Sequence, residues 1–137
     1  MKIRLIVLLL IMTASLRGYS QSLAGTKWKL TTIHENNTPN RWEVGPETTI
    51  TLAFNADSVF SGKACNMFKG KYENNKGGEV TMHHAMRTKK GCSDMRGRSE
   101  DVLFSYFFTT RPSAYILKEE SLELSSNKFT LVFKLLK

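Results

Sequence analysis

In the stretch TTITLAF (48–54), Ile50, Leu52 and Phe54 fall at every second position, with threonine or alanine between them. That period gives a pleated strand one apolar face and excludes a helix, whose apolar stripe recurs every three or four residues. The pattern returns along the chain in short pieces. TKWKLTTI (26–33) spaces Trp28 and Leu30 by two, and SVFSG (58–62) follows the turn NAD (55–57) as the second arm of a hairpin. After the turn NNKGG (74–78), EVTMHHA (79–85) alternates through Val80, Met82 and His84. SAYIL (113–117), SLEL (121–124) and KFTLVFKLL (128–136) close the chain, the last with Phe129, Leu131, Phe133 and Leu135 in register. Short strands with one polar face each need a shared core on the other. The expected fold is therefore mainly β, a small antiparallel barrel-like or curved sheet.

One segment departs from that period. SEDVLFSYFFTT (99–110) spaces Leu103 and Phe107 by four, and likewise Val102 and Tyr106. Ser99 suits an N-cap, Glu100 and Asp101 suit a first turn where the helix dipole favours acids, and Pro112 forbids continuation. The spacing predicts one helix of about three turns packed against the sheet.

The first residues follow different rules. Lys2 and Arg4 precede an unbroken apolar run from Leu5 to Met12, and Gly18, Tyr19 and Ser20 end on small residues. This is the layout of a secretory signal peptide over 1–20, with cleavage after Ser20. The run is too short to span a bilayer, which takes about 20 apolar residues, and Arg17 would sit in hydrocarbon. Residues 21–137 are then expected to form a single exported domain, periplasmic or extracellular and able to associate with the envelope, without a transmembrane segment once the leader is removed.

Losing Lys2, Arg4 and Arg17 leaves 17 basic against 12 acidic residues. The excess is concentrated between Lys63 and Arg98. Lys63, Lys69, Lys71, Arg87, Lys89, Lys90, Arg96 and Arg98 there make a candidate anion-binding patch for anionic lipid or polymer, while a solvated polar face is the plainer reading. Export and the lack of an aromatic nucleic-acid-binding run argue against nucleic acid.

Candidate chemistry is sparse. His83 and His84 are neighbours on an expected strand, so they should face opposite sides, and His34 sits in a polar loop with Glu35. Zinc needs three or four convergent ligands, so no metal site is expected. No GxSxG, Walker loop, HExxH or CxxC occurs, which leaves no catalytic set and no cofactor motif. Cys65 among lysines could be a low-pKa nucleophile. An exported chain with two cysteines more commonly joins them, and a Cys65–Cys92 disulfide would tie the basic, core-poor segment to the sheet.

Taken in order, these landmarks resemble the META-domain family, the HslJ-like bacterial proteins. LAGTKWKL resembles the family's opening leucine–glycine–tryptophan strand. ITLAFNADSVFSGKACNMFKGKY resembles its central strand, turn, glycine and cysteine–asparagine motif, and RTKKGC its threonine-then-cysteine segment. AYILKEESLELSSNKFTLVF resembles the closing strands. Ala64 stands where glycine is usual, and Lys89 and Lys90 where apolar residues are common. The resemblance implies a small β-barrel-like fold with a helix, envelope association, no established catalytic site or cofactor, and a loose link to envelope stress. In the motif, Asn66 is expected in a turn or left-handed backbone, Phe68 and Tyr72 in the core, and Gly70 at a bulge or close approach. The function expected is a non-enzymatic exported protein that binds an envelope partner or stabilises the envelope. The alternative is a carrier of a small hydrophobic ligand or lipid inside the barrel.

Overall fold

The computed structural model describes residues 22–137, so the leader expected over 1–20 lies outside the described residues. The strands are β1 (Thr26–Glu35), β2 (Arg41–Glu43), β3 (Thr51–Phe54), β4 (Val59–Lys63), β5 (Met67–Asn75) and β6 (Glu79–Arg87). A helix α1 (Met95–Val102) follows and continues as a π-helical turn, Leu103–Phe107, before β7 (Ser113–Leu117), β8 (Ser121–Ser125) and β9 (Phe129–Leu135). The strands pair antiparallel in the order β1-β3-β4-β5-β6-β7-β8-β9, and β9 returns to β1 to close an eight-stranded barrel. The short β2 lies along β1 beyond the point where β3 leaves it.

The alternating residues fill the barrel. Trp28, Leu30, Leu52, Phe54, Phe60, Val80, Met82, Leu131 and Phe133 are all buried. Alternation also holds through β5, where Phe68, Gly70 and Tyr72 face in and Met67, Lys69 and Lys71 face out. In the sequence, lysines and a glycine dilute the apolar half of that period.

Two bulges curl the sheet, as a barrel requires. In β1 the register slips between Leu30 and Thr32, so Ile33 is buried although it sits an odd number of positions from Trp28 and Leu30. Thr31 at that slip donates its hydroxyl to Val132 O at 3.0 Å. In β6 the slip lies between the pairs Lys71–His83 and Lys69–Met86, opposite Gly70. His84 takes φ 52° there. A Cβ at Gly70 would come within 2.6 Å of the Phe60 ring and 2.7 Å of His83 O, so this position tolerates only glycine. The bulge also overturns the expectation that His83 and His84 face opposite sides: their ring centroids are 4.6 Å apart. His34 and Glu35 prove to be the last residues of β1 rather than loop residues.

β6 and β7 share only two pairs, Glu79–Ala114 and Val80–Ser113. The π-helical turn packs against β6. The helix begins earlier than the spacing predicts. Asp94, not Ser99, is the N-cap and accepts from the Arg96 amide. Ser99 lies inside, with its hydroxyl donating to Met95 O at 2.7 Å. The Phe108 amide donates to Leu103 O at 2.8 Å, a five-residue step. That wider turn lets Leu103, Phe107 and Phe108 all bury against the barrel.

Candidate functional site

The β4–β5 hairpin turns through Ala64, Cys65 and Asn66, and all three are buried. A buried loop must find partners for its polar groups. Asn66 finds them in α1 and in the segment after β6. Its backbone N–H donates to Glu100 Oε1 at 2.7 Å and its Nδ2 to Glu100 Oε2 at 2.8 Å. Its Oδ1 accepts from Lys90 N at 2.6 Å and Thr88 Oγ1 at 3.0 Å, and Nδ2 also donates to Lys90 O at 3.1 Å. Arg87 Nη1 donates to Glu100 Oε2 at 3.2 Å while its guanidinium lies 4.3 Å from the Phe104 ring centroid. Cys65 is bonded to Cys92, with Cα atoms 5.9 Å apart.

Asn66 is in a turn, as expected, but not in the left-handed region, which among the described non-glycine residues holds Asn37, Ser58 and His84. Its side chain, rather than its backbone, explains an asparagine here. In the sequence, Glu100 has only a place in the expected helix's first turn, where the dipole favours acids. It is 4% exposed. The available signal was phase: Glu100, Phe104 and Phe108 recur every four residues, and the two phenylalanines pack on Phe68 with ring centroids 6.0 and 5.1 Å away.

The basic residues divide into groups. Cross-strand register puts Lys27, Ala53, Ser61, Lys69 and Met86 in one outward row, and Lys29, Thr51, Lys63 and Met67 in the next. Lys71 follows between Val59 and His83. Lys63, Lys69 and Lys71 thus share an outer face with Lys27 and Lys29, which lie outside the expected 63–98 segment. Lys89 and Lys90 are exposed in the segment between β6 and α1. Arg96 pairs with Asp94 at 2.9 Å, and that hydrogen-bonded contact holds the Asp94 carboxyl below its ordinary pKa and raises that of Arg96. Arg98 stands elsewhere, 5.9 Å from the Trp42 ring centroid on β2. The eight residues therefore do not form one face.

Among the described residues, no group of three or more histidine, cysteine, aspartate or glutamate side chains is placed to hold a metal. His83 Nε2 is 3.7 Å from Glu73 Oε1. No helix among them is long and apolar enough to cross a membrane.

The sequence profile of the META domain matches residues 21–137. The chain belongs to the META-domain family. Two solved structures share the fold of this META domain. A protein from Burkholderia xenovorans, solved by NMR, aligns with a TM-score of 0.69 at 18% identity over 84% of each chain. A second NMR structure aligns with a TM-score of 0.61 at 21% identity, over 80% of this chain and 88% of the other. The sequence matches no curated protein.

Proposed function

We propose that this META domain works outside the cytoplasm as a non-enzymatic binding protein for an anionic component of the cell envelope. The observation that carries the reading is the outer face of β1, β3, β4 and β5, where Lys27, Lys63, Lys69 and Lys71 point outward and none joins an ion pair among the described residues. Uncompensated like charges repel one another, and a polyanion relieves that repulsion on binding. The leader sequence and the disulfide support export. Asn66 and Glu100, the most connected buried polar residues, direct their hydrogen bonds to the hairpin and its neighbours, which supports a structural rather than chemical role for them. The barrel interior is occupied by buried apolar side chains, which supports an outer-face site over an interior carrier site.

The test is retention on immobilised polyphosphate across a salt gradient. The wild-type protein should elute later than Lys63→Ala/Lys69→Ala/Lys71→Ala, and Lys118→Ala, an exposed lysine in the β7–β8 turn, should elute with the wild type. Equal elution of all three would refute the reading.

A further inference from the structure

The outer face that carries the proposed anion binding is not purely polar. Three large hydrophobic side chains are left exposed among the described residues, and two of them, Met67 at 63% and Met86 at 64%, line one shallow groove of about 870 Å³ on this face. Lys27, Lys63, Lys69 and Arg87 line the same groove, and no aspartate or glutamate does. Its remaining outward positions are small, with Ala53 and Ser61 between Lys27 and Lys69 in one cross-strand row. Two unbranched thioethers stand among cations over a low floor.

A soluble polyanion offers phosphates but nothing for the methionines. A membrane surface offers both, with anionic headgroups at the level of the ammonium groups and acyl chain just beneath them. Lysine stems lie along apolar surface while their charges stay in water, and methionine adapts to irregular apolar contacts. Resting on the anion-binding reading above, we infer that this groove docks on an anionic lipid surface, with Met67 and Met86 entering the headgroup–acyl boundary and the lysines engaging headgroup phosphates.

The test uses the mature chain with three probes: vesicles of phosphatidylcholine alone, vesicles of phosphatidylcholine with phosphatidylglycerol, and soluble polyphosphate. Wild-type protein should bind the mixed vesicles at low salt, leave the neutral ones in solution and also bind polyphosphate. Met67→Ser/Met86→Ser should lose about tenfold or more on mixed vesicles through lost apolar contact, with polyphosphate binding unchanged. Lys63→Ala/Lys69→Ala should lose about thirtyfold on mixed vesicles and weaken on polyphosphate too. Circular dichroism should show both variants folded, since all four positions are exposed. If the methionine variant binds mixed vesicles as the wild type does, the lipid assignment is overturned while anion binding stands. If neither mixed vesicles nor polyphosphate are bound at low salt, the anion-binding reading fails with it.

Discussion

Asn66 uses both faces of its amide and its own backbone N–H, and Glu100 answers two of those three groups. A glutamine at 100 has one acceptor oxygen and turns its NH2 toward donors. Glu100→Gln should therefore destabilise the fold by about 1.5–3 kcal/mol, the range for hydrogen bonds to a charged group. Urea unfolding measures this, with Asp101→Asn as the exposed neighbour expected near zero. A Glu100→Gln loss no larger than that of Asp101→Asn would mean that the Asn66–Glu100 contacts do not hold the fold. Tyr72 is a second residue with a definite sign. Its hydroxyl donates to Asn55 O at 2.6 Å, and burial first, then the Asp57 carboxylate, raise its pKa above 10.0. A proton held more tightly folded than unfolded stabilises below the unfolded pKa, and that stabilisation is lost as pH rises through the raised value. Wild-type melting temperature should thus fall more steeply above about pH 10 than that of Tyr72→Phe. Parallel alkaline limbs in the two proteins would contradict the assignment.

At the scale of elements, the helix was legible in type but not in position. Leu103 and Phe107 announced it, yet its first turn, MRGRS (95–99), has no apolar stripe to read. Gly97 in that turn looks like a helix breaker, and only packing explains it. It is buried, and a Cβ there would run into the Cys92 carbonyl oxygen. Glycine to alanine within a helix ordinarily stabilises by about 1 kcal/mol. Here the sign should reverse, with Gly97→Ala losing about 1–3 kcal/mol as the overpacked Cys92 segment is displaced. Chemical denaturation decides it, and a gain in stability would mean the close approach is not a constraint. β5 shows the opposite case. Its pairing partners on both sides are plain in the structure, but the outward lysines and Gly70 masked its period.

For the whole molecule, the barrel and the disulfide divide the work of closure. β9 returning to β1 seals the sheet through seven pairs, whereas β6 and β7 meet through two. The Cys65–Cys92 bond ties the β4–β5 hairpin to the segment entering α1. Closing this loop is worth about 3.5 kcal/mol by chain entropy. Cys65→Ser, Cys92→Ser and the double variant should lose similar stability, each with a lower melting temperature. Thiol labelling of the denatured, unreduced wild type should find no free thiol, and two per chain would disprove the bond. By itself the sequence determined which residues of most strands face inward, that one helix interrupts them, and which two cysteines could join, because alternation and helical spacing act between near neighbours. Tertiary structure alone decided where the bulges fall, that Glu100 meets Asn66, and that Lys27 and Lys29 join Lys63 and Lys69 on one face. Those outcomes depend on contacts such as Asn66 to Glu100, 34 positions apart, and on the curvature needed to bring β9 back to β1. Neither leaves a mark in any local window of the chain.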